Sequence, residues 1–199
     1  KRRCLKVLVT HSWSRCNAGI KGIAQGGQFL RQPGGYLNHV RSRAFSVYAL
    51  WDNSQVYRAA GDVQASMLHL KPQADPTAAE GPTFDELLAV NPDVCAWLTL
   101  DGTNIDYPVL QGESNLSYIN TDVYGNLLAG SIFLDSRNSS SFADVFSLLY
   151  GHHMENSQMF GDLDKYRSAD FLQQTNTGTC WCRAADMRCV CLPALWFRH

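Results

Sequence analysis

Two adjacent histidines, His152 and His153, follow an apolar run that ends abruptly at a glycine. The run Val145–Tyr150 has the composition of a β-strand, and Gly151 marks the place where the strand gives way to a loop. A histidine at such a place titrates near neutral pH and can contact a bound substrate, so the pattern indicates proton transfer in an enzyme. The plainer alternative is a pair of polar residues that end a strand. Metal binding by the pair is disfavoured, because adjacent residues on an extended chain point to opposite faces.

The segments that precede these histidines are predicted to contain two helices. Apolar residues recur at close to helical spacing over about 45–70, without an internal proline, which predicts a long helix. The stretch 71–82 has prolines near both ends and is predicted to be a linker. Thr83 and Glu86 then have the spacing of a capping box, which predicts a short helix that ends before the Asn-Pro pair at 91–92.

After the second helix the apolar pattern changes to a period of two, as in β-strands. The runs Ala96–Leu100 and Thr103–Val109 flank an Asp-Gly pair that tolerates the backbone angles of a tight hairpin turn. Gly130–Leu134 and Val145–Tyr150 are predicted to be two further strands, and Met159–Tyr166 a brief helix. Short strands with few helices between them predict a mainly antiparallel sheet or barrel.

Basic and acidic residues are distributed unevenly along the 199 residues. Residues 1–43 contain nine Lys or Arg and no Asp or Glu, whereas 44–199 contain eight Lys or Arg and eighteen Asp or Glu. The basic residues are scattered, which argues against a nucleic-acid partner. No run reaches the roughly 20 consecutive apolar residues of a membrane helix, and no signal-peptide apolar region is complete. We expect 1–43 to be a basic leader that is disordered or non-native.

The seven cysteines are an odd number, so they cannot all pair within one chain. The cluster near the C-terminus consists of Cys180, Cys182, Cys189 and Cys191. One residue separates the members of each pair, whereas structural zinc sites usually have two to four between them. A small cysteine-rich metal-binding protein is therefore an alternative that fits poorly, and we expect neither a metal nor a cofactor.

Taken in order, the motifs of about 44–174 resemble those of class B sortases. The motifs are Tyr48-Ala-Leu-Trp51-Asp52, Gln55-Val56-Tyr57, Asn91-Pro92-Asp93-Val94, Trp97-Leu98, Gly102 to Val109, Gln111-Gly112, Asn115, Gly130 to Asp135, Arg137-Asn138, Tyr150 to Met154 and Met159 to Leu163. The resemblance implies a mainly β fold: a sortase-type antiparallel β-barrel, here incomplete, with N-terminal helices.

The resemblance also implies an activity and its partners. Class B sortases are cysteine transpeptidases of the Gram-positive cell surface. They cleave a sorting-signal peptide after threonine through a thioester and join it to an amine of cell-wall peptidoglycan or of a pilin. The family histidine corresponds to His152, and Asn115, Ile119 and Tyr150 are implied to line the peptide groove. A membrane anchor is also implied, although no complete one is seen in this sequence.

The family cysteine and arginine are less well matched. Thr179 and Cys180 match the last two letters of the family motif Thr-Leu-x-Thr-Cys, and Arg188 follows downstream, but Cys180 comes too soon after the histidine. A single-base slip near Thr175 accounts for this, because a neighbouring reading frame of Cys-Trp-Cys encodes Leu-Leu-Val. We therefore predict a partial sortase domain over 44–174, an aberrant tail over 175–199 and incomplete catalysis. A non-enzymatic peptide-binding surface domain is the alternative.

Overall fold

The computed structural model describes residues 4–10, 33–72, 84–127, 129–175, 177–183, 187–190 and 194–196. Its helices are α1 (Pro33–Leu68), α2 (Asp85–Val90) and α3 (Ala169–Gln174), and a 3₁₀ helix spans Gly161–Arg167. Its strands are β1 (Cys4–Thr10), β2 (Val94–Leu100), β3 (Asp106–Leu110), β4 (Ile132–Leu134), β5 (Phe146–His152), β6 (Gly178–Cys182), β7 (Met187–Val190) and β8 (Ala194–Trp196).

The eight strands of the described residues form one sheet, in the order β7-β6-β2-β3-β4-β5-β1-β8. The pairs β7/β6, β6/β2, β2/β3 and β4/β5 are antiparallel. The pairs β3/β4, β5/β1 and β1/β8 are parallel. The sheet curls into a half-barrel with a helix on its N-terminal side, which confirms the predicted mainly β fold. The strand pairing is more mixed than the sequence pattern predicted.

Apolar side chains cover both faces of this sheet, so its central strands are buried along most of their length. On what we call the first face, one cluster includes Leu98, Val109, Ile132, Leu149 and Cys180. On the second face, another cluster includes Trp97, Leu110 and Phe133, with Tyr150 and Trp181 packed against it. Because successive side chains of a strand point to opposite faces, His152 lies on the second face with Tyr150.

Helix α1 begins at Pro33, well before the predicted start near residue 45. Proline is tolerated at the first helical position because an N–H there has no intrahelical acceptor. The buried residues Val56, Ala60 and Met67 share one face of the helix and pack against the sheet, whereas the turns over 39–53 are exposed. In the described part of the chain no helix, α1 included, has the length and apolar character needed to span a membrane.

The predicted short helix and hairpin are present, with different ends. Phe84 is the N-cap of α2, and its side chain makes no capping hydrogen bond. Thr83 and most of the predicted linker lie outside the described residues, so the capping box stays a prediction. The β2–β3 connection covers 101–105 rather than two residues, and Gly102 has a φ of 70° within it. Glycine suits that left-handed backbone because it lacks a Cβ atom.

Four of the strands, β1, β6, β7 and β8, come from segments predicted to flank the domain. β1, from 1–43, lies parallel to β5 and places Thr10 opposite His152. β6, from 175–199, lies antiparallel to β2 and places Cys180 opposite Leu98. Both segments thus contribute strands to the same sheet as the strands of 44–174. The domain boundaries and the proposed slip of the reading frame stay predictions.

Candidate active site

His152 is the last residue of β5, and only 2% of its surface is exposed. Its Nε2 atom lies 2.5 Å from the main-chain oxygen of Ile119. A carbonyl oxygen can only accept a hydrogen bond, so in the neutral ring Nε2 carries the proton and Nδ1 does not. Nδ1 is buried and has no hydrogen-bond partner among the described residues. The described fold therefore leaves the lone pair of Nδ1 without a hydrogen-bond donor.

The surroundings of His152 keep its ring neutral. Burial lowers the pKa of His152 below its ordinary value of 6.5, and the hydrogen bond to Ile119 opposes this only in part. The close approach of Ile119 depends on Gly130, which has a φ of 69°. A Cβ atom on Gly130 would clash with the Ile119 oxygen and lie 3.1 Å from the His152 ring. At neutral pH the site therefore holds an uncharged imidazole, the form that accepts a proton.

A buried carboxylate, Asp135, lies directly after β4 and contacts several polar side chains near β5. Its Oδ1 atom accepts from the main-chain N–H and from Nε of Arg137, both at 2.9 Å. Its Oδ2 atom accepts from Arg137 Nη2 at 2.8 Å, from the Tyr150 hydroxyl at 2.8 Å and from Asn115 Nδ2 at 3.2 Å. Arg137 is the main reason that the pKa of Asp135 lies well below its usual range. Asp135 is therefore a fixed negative charge in neutral and mildly acidic solution.

The residues predicted to line a peptide groove lie around this carboxylate and the histidine. Tyr150 precedes His152 by two residues on the same face of β5. Ile119 supplies the oxygen that His152 contacts, and its side chain packs in the same cluster as Tyr150. Asn115 reaches Tyr150 through their shared acceptor Asp135. The structure therefore brings His152, Tyr150, Asn115 and Ile119 together.

Cys180 lies in a different part of the sheet. It is 1% exposed, and β2, β3 and β4 separate its strand from that of His152. Adjacent strands lie about 4.8 Å apart. Its side chain belongs to the first-face cluster with Leu98, whereas His152 points to the second face. The structure does not bring Cys180 to His152.

Known proteins are similar to about half of this chain. A sortase B of Listeria monocytogenes is 44% identical over 101 residues, which are 48% of this chain and 41% of that protein. A sortase B of Staphylococcus aureus is 38% identical over 94 residues, which are 47% of this chain and 38% of that protein. No protein-family model matches the chain. This chain thus spans less than half the length of the curated relatives that it matches.

A solved structure gives the same result for the fold. A class B sortase of Streptococcus pyogenes that is involved in pilus biogenesis is 47% identical and superposes with a TM-score of 0.50, over 53% of this chain and 58% of that one. The predicted resemblance to class B sortases is therefore confirmed.

Two further residues considered in the sequence analysis are Arg188 and His153. Arg188 occupies the position in β7 opposite Trp181, and β6, β2, β3 and β4 lie between β7 and β5. The neighbouring His153 points to Asp164, with 2.9 Å between Nε2 and Oδ2. Across the described residues, no group of three or more His, Cys, Asp or Glu side chains could hold a metal ion.

Sequence reasoning missed the contacts that Asp135 and Arg137 make in this candidate site. Both belong to the motifs that carry the resemblance, but neither was predicted to be a site residue. The available signal was an acidic residue directly after a fully apolar strand, followed two residues later by an arginine. That signal indicates a turn as readily as a binding site. Only the folded chain shows that Tyr150 and Asn115 reach the same carboxylate.

Proposed function

We propose that this chain carries the peptide groove and the acid–base histidine of a class B sortase, a cysteine transpeptidase. The observation that supports this most directly is the unpartnered Nδ1 atom of a neutral, buried His152 beside Tyr150, Ile119 and Asn115. Buried polar atoms are usually hydrogen-bonded, so an orphaned ring nitrogen at a strand end is typical of a group kept for function.

In the proposed reaction a thioester is formed and then broken, and His152 transfers the protons in both steps. The neutral imidazole first takes the proton of a thiol, and the thiolate attacks the carbonyl carbon of threonine in the sorting signal; the C–N bond breaks, and the leaving amine takes that proton from the imidazolium. An incoming amine then attacks the thioester and gives its proton to the neutral imidazole, and the thiolate leaves. The lowered pKa of His152 favours the second step, because the ring is already in its basic form at neutral pH.

We propose that the thiolate does not come from Cys180. The three cysteines whose side chains the structure describes, Cys95, Cys180 and Cys182, are all buried in the first-face cluster. A nucleophile must reach the substrate carbonyl beside His152, on the second face. The roles first considered for Cys180 and Arg188 therefore have no support from their positions in the sheet.

The proposed partners are a sorting-signal peptide and an amine of cell-wall peptidoglycan or of a pilin, and the proposed location is the cell surface. A solved sortase B, 28% identical to this chain with a TM-score of 0.50, is complexed with triglycine. The Streptococcus pyogenes structure is described as involved in pilus biogenesis. Each of these is a property of that protein, and together they support a primary amine as the acceptor proposed here.

A thioester substrate tests the proposal without any cysteine of the chain. A threonine-containing peptide, made as the thioester of a small thiol, is mixed with triglycine and the full chain, and formation of the peptide–triglycine product is followed by mass spectrometry. We expect acceleration of about 100-fold over buffer, a range typical of general base catalysis. His152→Gln should abolish it, whereas His153→Gln and Cys180→Ala should not. Equal rates with wild-type and His152→Gln protein would overturn the proposal.

A second candidate is a surface domain that binds the same peptides without turnover. The separation of Cys180 from His152 favours it, because it leaves the described groove without a thiolate. The thioester assay, combined with a measurement of peptide retention on the immobilised chain, distinguishes the two functions. Retention of threonine-containing peptides without acceleration of thioester aminolysis supports binding alone, and acceleration that depends on His152 supports the transpeptidase.

A further inference from the structure

Two of the three side chains that converge on Asp135 keep an unused hydrogen-bond donor. The Tyr150 hydroxyl donates to Asp135 and also hydrogen-bonds with Arg137, so it is held by both partners. The Asn115 amide donates one N–H to Asp135 and accepts from the main-chain N–H of Ser136 at 2.8 Å, which leaves its second N–H. Arg137 uses Nε and Nη2 on the carboxylate, which leaves Nη1. Asn115 and Arg137 together offer two donors.

These positions are rigid. The Tyr150 ring stacks on Phe133, with centroids 5.3 Å apart and an interplanar angle of 22°. The Asn115 amide has opposite partners on its two ends, a carboxylate and a main-chain N–H, so its orientation is fixed. The Arg137 side chain is 80% exposed, yet two of its nitrogens are held by a carboxylate that is only 3% exposed. A buried anion thus holds an exposed cation and two neutral groups in one arrangement.

We propose that Asp135 is a positioning residue, which holds Tyr150, Asn115 and Arg137 so that they bind the main chain of an extended peptide beside His152. This rests on the proposed peptide groove and adds the group that organises it. An extended peptide presents main-chain carbonyls at regular intervals, and these two donors complement them. Rigid partners bind such a chain more tightly because less side-chain freedom is lost on binding.

A binding assay with matched variants tests the positioning role. A fluorescein-labelled peptide is chosen, by retention on the immobilised wild-type chain, from a pool with a central threonine and randomised neighbours. Its dissociation constant is then measured by anisotropy for wild-type protein and for Asp135→Asn. The substitution places an amide N–H against the donors of Arg137, Tyr150 and Asn115, and we expect binding to weaken about tenfold or more.

The control is Asp144→Asn. Asp144 lies in the same loop region and accepts from the main-chain N–H of Ser139 at 2.7 Å and from Asn138 at 2.9 Å, but it contacts neither Tyr150 nor Asn115 in the described structure. It should leave the dissociation constant within about twofold of wild type, since its role is confined to the turn. An equal loss in both variants indicates loop damage and overturns the proposal.

A double-mutant cycle separates positioning from stability. In the background Tyr150→Phe with Asn115→Ala, the groups that Asp135 positions are gone, so Asp135→Asn should then weaken binding by less than about threefold. An undiminished effect in this background would contradict the proposal. If the pool yields no retained peptide, the proposed function itself fails, and this outcome is distinct from retained peptides that ignore Asp135.

The pH dependence of binding gives an independent measurement that also serves if Asp135→Asn is too unstable to assay. The charged and titratable groups in hydrogen-bond contact with Asp135 are Arg137 and Tyr150. In Arg137→Gln the carboxyl loses its main stabilising donor and protonates at higher pH, after which it no longer accepts from both Tyr150 and Asn115. We expect peptide binding by Arg137→Gln to fall on acidification at a higher pH than binding by wild type. Coincident pH profiles would contradict the positioning role.

Discussion

The Nε2 atom of His152 and the main-chain oxygen of Ile119 join the end of β5 to the loop that follows β3, at a separation of 2.5 Å. This contact assigns the ring proton to Nε2 and directs Nδ1 into a buried space without a partner among the described residues. It also makes the geometry of the site depend on the loop, because a shift of Ile119 must move or release the imidazole.

The first prediction concerns acid stability. The native pKa of His152 is lowered from 6.5 by burial, so between these two values the unfolded chain binds more protons than the folded one. The free energy of unfolding should therefore be unaffected by this group above about pH 6.5 and fall as the pH drops below it, by up to ~1.4 kcal/mol per pH unit. Urea unfolding from pH 5 to 8 measures this slope. His152→Gln should flatten it, while His69→Gln, at an exposed position, should leave it unchanged.

The second prediction compares two glycines that both have positive φ. Gly130 (φ 69°) has the Ile119 oxygen and the His152 ring within 3.1 Å of the position that a Cβ atom would occupy, whereas Gly125 (φ 89°) has nothing within 4 Å. Alanine at Gly125 should cost only the strain of a left-handed backbone, ~1 kcal/mol. Alanine at Gly130 should cost clearly more and displace the His152 imidazole resonances in an NMR spectrum. Equal costs for the two variants would mean that Ile119 and His152 do not pack against Gly130 as described.

The third prediction concerns Asp106, which joins β3 to β2 and α1. Its Oδ1 atom accepts from Trp97 Nε1 at 2.6 Å and from Thr99 Oγ1 at 2.8 Å, and its Oδ2 atom accepts from Lys71 Nζ at 2.8 Å. Trp97 is fully buried, so Asp106→Ala leaves its N–H without an acceptor and should lower the free energy of unfolding by ~2 kcal/mol or more. Lys71→Met removes only a partly exposed ion pair, whose side chains are 28% and 24% exposed, and should cost less than ~1 kcal/mol. Urea denaturation would show equal losses if the buried N–H were unimportant.

Much of the sheet could be predicted from the sequence because both of its faces are apolar. The runs around Trp97, Phe133 and Leu149 have the composition of strands whichever face is considered, so their positions were predicted within a few residues. The order and direction of the strands could not be predicted in the same way. They depend on crossovers such as the parallel pairing of β3 with β4, which no local pattern encodes.

Helix α1 shows why burial was harder to predict than secondary structure. Val47, Leu50 and Trp51 have the spacing of a buried helical face, but 57–67% of each is exposed, whereas Val56 and Ala60 are buried. Helical periodicity reports which residues share a face, and only the position of the sheet decides which turns are covered. The same limit applies to the site. His152 and Tyr150 could be predicted as neighbours because they lie at the end of one strand. The contacts of Asp135 with Asn115 and Tyr150 could not, because they join segments that are 15 to 20 residues apart.

The last prediction concerns Cys95, which tests whether the first face of the sheet is as tightly packed as described. Cys95 is 5% exposed, and its Sγ donates to the main-chain oxygen of Val109 at 3.4 Å. Burial is the main reason that the pKa of its thiol rises from 9.0 to about 12, and the neighbouring Cys182 contributes to the rise. The thiolate is the reactive form, so iodoacetamide at pH 8 should leave Cys95 unmodified in the folded chain and modify it fully in denaturant. Peptide mapping by mass spectrometry separates Cys95 from the cysteines outside the described core.

Because the native pKa of Cys95 is raised, the folded state binds the extra proton above pH 9, and the free energy of unfolding should decline as the pH rises beyond that value. Cys95→Ala should reduce this alkaline decline, of which the raised pKa of Tyr107 leaves a part above pH 10. Rapid alkylation of Cys95 in the native chain would show that the first face opens to solvent.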